Sequence, residues 1–292
     1  MKMDLVYNPT AGSFRPRRLD QLVEAFRAFG IDARPMATSP EGARLSGDAD
    51  LVCVHGGDGT LRDTVQAMGG AVATVPLAIA PAGTINLVAR ELGYHRDPAR
   101  LAAQIAAAWE LGSKSWVHSP LHRLGDMPIV SCVSIGPDSH AVAAVSGTLK
   151  RRIGRYAYVV AMMRLMRRWP RDPLSIRDEL ADGTPFSCEA EAAIVSHGAL
   201  YGGPFKLSAR ASLLSDSVEL ITINRSTRRS ALALTGAAML HLSVDRLGLA
   251  EIRTCRRIEF DRCVSPVQVD GDHMPGCAYA IGLSNLALAY CV

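Results

Sequence analysis

The sequence has 292 residues, of which 48% are hydrophobic, 21% charged and 5% aromatic, and its formal net charge is +4. This composition is typical of a globular protein with one large or two ordinary domains, and it excludes a disordered or fibrous chain. Because aromatic residues are scarce, there is little material for base stacking, and we expect no nucleic-acid partner.

Cysteine usage and the N-terminus predict the compartment. Seven cysteines are dispersed without a C-x-x-C pair, which favours reduced, buried thiols over a disulfide framework or a zinc site. The segment Met1–Leu5 lacks the apolar region of a signal peptide, and no apolar run approaches the roughly 18 residues that span a bilayer. We therefore predict a cytoplasmic protein that is peripherally associated with the membrane.

The first part of the chain alternates strand and helix patterns. Predicted strands are Asp4–Tyr7, Leu51–Val54 and Val75–Ala80, and predicted helices are Arg17–Phe29, Leu61–Met68, a helix ending at Glu91, and Pro98–Glu110. This alternation predicts a mostly parallel sheet covered by helices on both faces. We assign residues 1–119 to an α/β domain.

The pattern changes after Ser119. Short β-like runs separated by turns occur at Ile129–Ile135, Glu191–Ser196, Ser217–Ile223, Arg257–Phe260, Val267–Val269 and Ala278–Leu283. They predict a second, mainly antiparallel domain over residues 120–292, whose last strand can return to the first domain.

A glycine-rich loop, Gly56-Gly57-Asp58-Gly59-Thr60, follows the second predicted strand. Its glycines allow a sharp turn and close approach to phosphates, and Thr60 can cap the next helix or donate to a phosphate oxygen. Asp58 would be repelled by phosphates unless Mg²⁺ intervenes or the carboxylate acts as a base. The alternative is a tight turn without function, because the loop matches neither the Walker A nor the dinucleotide-binding pattern.

Two further loops follow predicted strands, Asn8-Pro9-Thr10-Ala11-Gly12 and Pro81-Ala82-Gly83-Thr84-Ile85-Asn86. Ligands of open parallel sheets bind at the carboxyl ends of the strands, so three such loops favour a phosphate-binding site.

In order and spacing these three loops resemble the signature loops of the diacylglycerol kinase catalytic-domain family, which includes bacterial lipid kinases, sphingosine kinases and ceramide kinases. The likeness continues through Leu149–Tyr158, Tyr201–Leu207 and Val267–Asp272. It implies a phosphofructokinase-like and NAD kinase-like nucleotide domain, a β-sandwich lipid domain, and ATP and Mg²⁺ as cofactors. The implied ATP-contacting residues are Asn8, Thr10, Gly12, Thr38 (or its neighbour Ser39), Gly56, Gly57, Asp58, Gly59, Thr60, Thr84 and Asp270.

The resemblance leaves two candidates for the catalytic base. The D-G-E motif of bacterial diacylglycerol kinases corresponds here to Asp270-Gly271-Asp272, which makes Asp272 the base, whereas the sphingosine kinases assign that role to the position of Asp58. By itself, Asp-Gly is also a common β-turn signal.

The chain departs from the family pattern at three places. Arg62 and Asp63 replace the usual asparagine and glutamate, Leu87 replaces an aspartate, and Ser215-Asp216-Ser217 lacks the glycine of the magnesium-binding segment. Asp216 is therefore our candidate metal ligand, in a register that is open by one residue.

The segment Lys150–Arg171 contains eight basic residues and no acidic residue. It predicts either a helix packed on a core or an interfacial helix that binds anionic headgroups. We predict an ATP-dependent lipid kinase, with diacylglycerol, ceramide or a sphingoid base as the lipid at the membrane surface and a homodimer as one possible assembly. The alternatives are an NAD kinase-like enzyme and a non-catalytic nucleotide-binding or membrane-binding regulator.

Overall fold

A computed structural model describes residues 1–11, 14–83, 85–145, 156–274 and 279–292. Its contacts divide the chain into two compact units, one formed by Met1–Leu121 with Asn285–Val292 and the other by His122–Ser284. No helix among the described residues is long and apolar enough to cross a membrane.

The first unit contains a parallel sheet flanked by helices. Its strands are β1 (Lys2–Tyr7), β2 (Asp32–Ala37), β3 (Leu51–Gly56) and β4 (Leu77–Pro81), and its helices are α1 (Pro16–Ala28), α2 (Asp58–Met68), α3 (Leu87–Glu91) and α4 (Pro98–Leu111), with short 3₁₀ turns at Gly69–Ala73 and Ser113–Ser115. The strand order is β4-β3-β1-β2, and every pair in it is parallel.

Burial explains which of these elements could be predicted. β3 and β4 are buried at every residue, as expected for central strands covered on both faces. β2 was not predicted, because its Pro35 and charged residues give no apolar run, and it lies at the edge of the sheet where proline is tolerated. Helix α2 begins at Asp58 rather than Leu61, so the glycine loop runs directly into its first turn.

The C-terminal segment completes this unit. Tyr290 pairs with Leu77 in parallel, and the Cys291 amide donates to the Leu77 carbonyl at 2.8 Å. The buried Tyr94 hydroxyl donates to the Cys291 carbonyl at 2.8 Å. The last residues of the chain therefore pack beside β4.

The second unit is built on antiparallel strands. The strands from residue 117 onward are β5 (Val117–Leu124), β6 (Met127–Ile129), β7 (Cys132–Ile135), β8 (Leu174–Leu180), β9 (Pro185–Ala190), β10 (Ala192–Ser196), β11 (Val218–Ile223), β12 (Glu251–Cys263), β13 (Val267–Val269), β14 (Asp272–Met274) and β15 (Tyr279–Tyr290). The helices are α5 (Pro137–Ala144), α6 (Tyr156–Leu165) and α7 (Arg228–Met239). The strand order is β14-β13-β7-β10-β11-β12-β15, with β8 between β12 and β9. The expected combination of α/β and mainly β regions is confirmed at this level.

Two apolar clusters stabilise the second unit. The larger includes Val133, Leu220, Ile258 and Phe260. The smaller packs Ala237 and Ala238 of α7 against Ile194 and Ile221 of the sheet. Helix α7 is thus anchored by its small residues. Among the cysteine side chains that the structure describes, all five are free and four are buried.

Candidate functional site

The predicted loops of the first unit lie at one edge of its sheet. The segments after β1, β2, β3 and β4 all leave the carboxyl ends of adjacent parallel strands. The Thr38 amide donates to the Tyr7 carbonyl at 2.8 Å, which places Thr38 beside the end of β1. The structure therefore brings Asn8, Thr38 and the glycine loop to the same edge. Gly12 and Thr84 lie outside the described residues.

The glycine loop and the Pro81–Asn86 loop are in direct backbone contact. A Cβ atom added to Gly83 would lie 2.5 Å from Gly57 Cα, and one added to Gly57 would lie 3.1 Å from Gly83 Cα. The amides of Ala82 and Gly83 both donate to the Gly56 carbonyl, at 3.0 and 3.1 Å. Any side chain at Gly83 would therefore push the two loops apart.

Asn86 stabilises the second of these loops from within. Its backbone is left-handed, with φ of 55°. Its side-chain Oδ1 accepts from the Gly83 amide at 2.7 Å, and its Nδ2 donates to the Gly83 carbonyl at 2.8 Å. Asparagine suits this position because it tolerates left-handed backbone and carries both a donor and an acceptor. Asn86 was part of the predicted motif, but its role could not be inferred without the geometry.

Asp58 connects the glycine loop to the helix that follows the next strand. Its Oδ2 accepts from the Leu87 amide at 2.9 Å, and its Oδ1 accepts from the Val88 amide at 3.1 Å. These amides belong to the first turn of α3, where N–H groups lack helical partners and a carboxylate is stabilised. The carboxylate of Asp58 thus holds α3 against the glycine loop.

The remaining loop residues form local turns. Asn8 Oδ1 accepts from the amide and the hydroxyl of Thr10, at 2.9 and 2.8 Å, which is an Asx turn at the end of β1. Thr60 is buried in α2, and a Cβ atom on Gly56 would lie 2.6 Å from Thr60 Cβ. Gly56 must therefore remain glycine for Thr60 to occupy this position.

Two polar side chains beside the glycine loop, His55 and Arg62, are buried. His55 is buried at the end of β3, its Nδ1 lies 3.2 Å from the Ala80 carbonyl, and burial lowers the pKa of its imidazole. Arg62, at a position where the family usually has asparagine, is buried and pairs with Asp63 at 2.9 Å. The departures at positions 62 and 63 thus form an ion pair with each other.

Asp270, a predicted ATP contact, has a clear structural function in the second unit. Its carboxylate accepts from the amides of Val130, Ser131 and Cys132, at 3.2, 2.8 and 3.1 Å. Its φ of 51° makes it, with Gly271 at 86°, the turn between β13 and β14. Asp270 and Gly271 therefore form the β-turn that the Asp-Gly pair predicted. Asp272, which follows them, is the partly buried first residue of β14.

The candidate metal ligand Asp216 is exposed on the segment before β11. Among the residues described, no three His, Cys, Asp or Glu side chains are grouped so that they could hold a metal ion. Mg²⁺ commonly uses one or two carboxylates together with water and substrate phosphates. The assignment of Asp216 as a metal ligand stays a prediction.

Two groupings of polar side chains in the second unit, one buried and one partly buried, were not predicted. The rings of His122 and His197 pack edge to face with centroids 4.6 Å apart, and burial lowers the pKa of both, that of His197 to about 3. The Asp138 carboxylate accepts from the hydroxyls of Ser134 and Tyr201. Tyr201 follows Asp138 by 63 residues, and sequence spacing gives no signal for such a pair.

Comparison with known proteins supports the resemblance. Residues 2–112 match the diacylglycerol kinase catalytic domain model. The chain is 35% identical over 134 residues to a Pseudomonas putida protein named "Probable lipid kinase YegS-like", a match that spans 44% of this chain and 43% of that protein. It is 24% identical to the diacylglycerol kinase of Bacillus subtilis over 234 residues, which cover 76% of this chain and 73% of the relative.

The fold is also shared with solved structures. The crystal structure of a diacylglycerol kinase from Bacillus anthracis str. Sterne superposes with a TM-score of 0.71, at 20% identity, over 99% of this chain and 96% of that one. The structural likeness shows the fold, and the matched domain model confirms the resemblance predicted from the three loops. Residues 2–112 are thus similar to the diacylglycerol kinase catalytic domain, and the chain spans less than half the length of the Pseudomonas putida relative.

Proposed function

We propose that the protein is an ATP-dependent kinase that transfers the γ-phosphoryl group to the hydroxyl of a membrane lipid. The observation that carries this proposal is the contact between Gly57 and Gly83, which joins two glycine-containing loops at the carboxyl edge of a parallel sheet. Such loops present backbone N–H groups to phosphates, and the first turn of α2 adds the positive end of its dipole.

ATP would bind along the edge formed by Asn8, Thr38, the glycine loop and Gly83. Gly56, Gly57, Gly59 and Gly83 carry no side chain, which suits close approach of a triphosphate. Mg²⁺ would arrive with ATP as part of the substrate and neutralise phosphate charge. The chemistry then depends mainly on positioning and charge stabilisation.

In the proposed reaction the lipid hydroxyl oxygen attacks the γ-phosphorus. The bond between that phosphorus and the β,γ-bridging oxygen breaks, ADP leaves, and the hydroxyl proton passes to a carboxylate. We assign the proton to Asp272, because both oxygens of Asp58 already accept from the amides of α3. Asp58 would act as a positioning residue that fixes the two phosphate loops.

The nucleotide domain would be residues 1–119. The lipid-substrate domain would be residues 120–292 with a β-sandwich core, its last strand returning to the first unit through residues 285–292. Diacylglycerol is our first choice of substrate, since the Bacillus subtilis relative is named for it. Ceramide and sphingoid bases are also primary alcohols, so they belong in the same assay.

The test is transfer of radiolabelled phosphate from ATP to diacylglycerol, ceramide and a sphingoid base in mixed micelles, with NAD as a further acceptor. We expect labelled phospholipid with the native protein and none with Asp272→Ala. Asp58→Ala should also abolish transfer, and losing two charge-assisted hydrogen bonds should lower its free energy of unfolding by about 2–4 kcal/mol. Transfer to NAD alone, or full activity of Asp272→Ala, would contradict the proposal.

A further inference from the structure

Two arginine-rich segments of the sequence meet at one place in the second unit. The first is the end of α6 with the turn after it, and the second is the start of α7. The exposed arginines are Arg164, Arg167 and Arg168 in the first segment and Arg225, Arg228 and Arg229 in the second. The Arg228 guanidinium donates to the Arg167 carbonyl at 2.9 Å, which joins the two segments across 61 residues. The structure thus adds a second set of charges to the basic segment seen in the sequence.

The acidic group at this junction is already engaged. Glu191 accepts from the Arg171 guanidinium at 2.6 and 2.9 Å and from the Ser226 amide at 2.7 Å. The Arg171 hydrogen bonds lower the pKa of the Glu191 carboxyl below its usual value. Glu191 therefore compensates Arg171 and fixes the start of α7, while the other arginines keep their positive charge toward solvent.

The position of the α7 arginines disfavours the helix itself. Arg228 and Arg229 occupy its first turn, which contains no acidic residue. Cations at a helix N-terminus oppose the helix dipole, so these charges do not serve helix stability. Their placement is better explained by an external anionic partner.

Helix α7 and the turn after it also expose large apolar side chains. The exposed fractions are 62% for Leu232, 57% for Met239, 71% for Leu240, 48% for Leu242 and 53% for Leu247. The small residues Ala237 and Ala238 face the protein core. Exposed apolar groups beside exposed cations on one amphipathic helix are typical of elements that lie in a bilayer interface.

We propose that this surface docks the protein on an anionic lipid bilayer. The α7 surface is defined here as helix α7, the turn 240–247, and the arginines at positions 164–168 and 225–229. Arginines would bind lipid phosphates while the leucines and Met239 enter the headgroup region. Asp245, in the turn, accepts a hydrogen bond from the Ser243 hydroxyl. Its negative charge is offset by the adjacent Arg246, so the α7 surface keeps a net positive charge. The inference rests on the proposed function, since a bilayer is where a lipid acceptor resides.

The test is binding of the full chain to vesicles, without ATP, by flotation and by fluorescence titration. Vesicles of phosphatidylcholine alone are compared with vesicles that contain 30% phosphatidylserine. We expect the double variant Arg225→Gln/Arg229→Gln to bind anionic vesicles about thirtyfold more weakly, because each surface cation contributes roughly a factor of five. Leu232→Gln/Leu240→Gln should weaken binding to both vesicle types. Two matched controls change exposed residues elsewhere. Arg17→Gln/Arg27→Gln on α1 is compared with the arginine variant, and Leu111→Gln on α4 with the leucine variant.

The outcomes separate this inference from the proposed kinase activity. Equal loss of binding in the α7 variants and the control variants, or no loss in either, would overturn the α7 surface. Phosphate transfer to a dispersed short-chain diacylglycerol should be unchanged in the α7 variants, since no α7 residue belongs to the proposed catalytic site. If no lipid is phosphorylated but vesicle binding depends on α7, the surface stands and the kinase proposal falls. If sedimentation shows a dimer that Leu232→Gln/Leu240→Gln dissociates, with vesicle binding unaffected, a second copy covers this face instead.

Discussion

The contact between the two phosphate loops can be tested by adding one methyl group. In Gly83→Ala the new Cβ would lie 2.5 Å from Gly57 Cα, 2.6 Å from Asn86 Oδ1 and 3.0 Å from the Gly57 amide nitrogen. Carbon atoms in contact prefer about 3.5–4.0 Å, so the loops would have to separate by about 1 Å. Inserting a methyl group into a packed site costs about 1–3 kcal/mol, and we expect a loss of that size in the free energy of unfolding.

The effect on catalysis should exceed the effect on stability. A displacement of about 1 Å in a positioning element can reduce a rate by about a hundredfold. We therefore expect kcat/KM for ATP to fall by about that factor in Gly83→Ala, with the protein still folded at 25 °C. Gly57→Ala should be milder, because its added Cβ would lie 3.1 Å from Gly83 Cα and the backbone could adjust by a few tenths of an ångström.

The assay pairs urea unfolding with phosphate transfer to diacylglycerol in mixed micelles. Gly70→Ala is the matched control, because a Cβ there meets no atom within 4 Å. The reasoning would be refuted if Gly83→Ala matched the Gly70→Ala control in its free energy of unfolding and its kcat/KM lay within twofold of that control. The loops would then tolerate separation.

Two further changes probe the second unit. Asp270→Ala removes the acceptor for the amides of residues 130–132. We expect urea unfolding to show a loss of about 3 kcal/mol or more in the free energy of unfolding, with Asp270→Asn intermediate. Equal stability of both variants and the native protein would contradict this. His197, beside His122, is neutral in the fold and has a pKa of about 3, whereas its ordinary value is 6.5. Between these values the unfolded chain binds more protons, so stability should fall with pH below 6.5, by up to about 1.4 kcal/mol per pH unit for this one group. Urea unfolding between pH 7.5 and 5 should show that the free energy of unfolding depends less steeply on pH in His197→Gln than in the native protein. An equal slope in both proteins would rule out His197 as the source of the pH dependence.

Features specified by neighbouring residues could be predicted from the sequence. The apolar runs of β3 and β4 and the glycines after β3 give strong local signals, and they were recognised at nearly their true positions. Elements with mixed polarity were missed. The β8–β9 hairpin mixes charged and apolar residues around Asp182-Gly183. The buried side of α7 consists of the small residues Ala237 and Ala238, which give little apolar periodicity.

Contacts between distant residues could not be predicted. The Asp270 carboxylate accepts a hydrogen bond from the Ser131 amide, 139 residues away in the sequence. The Arg228 guanidinium donates to the Arg167 carbonyl, 61 residues away. Each contact depends on a sheet order that no single motif encodes. For the same reason, the sequence showed one basic segment where the structure has two adjoining ones.

The aspartates of the predicted site now separate by function. Asp58 and Asp270 each direct a carboxylate at the backbone amides of a neighbouring segment, the first turn of α3 in one case and residues 130–132 in the other. A carboxylate used in this way fixes a loop, and its replacement should affect stability as well as turnover. Asp272 belongs to a short strand beside the Asp270 turn, so the anchoring of Asp270 determines where Asp272 lies. The proposal that Asp272 takes the proton therefore predicts that Asp270→Asn lowers turnover through the position of Asp272, while Asp272→Asn lowers turnover with little change in stability.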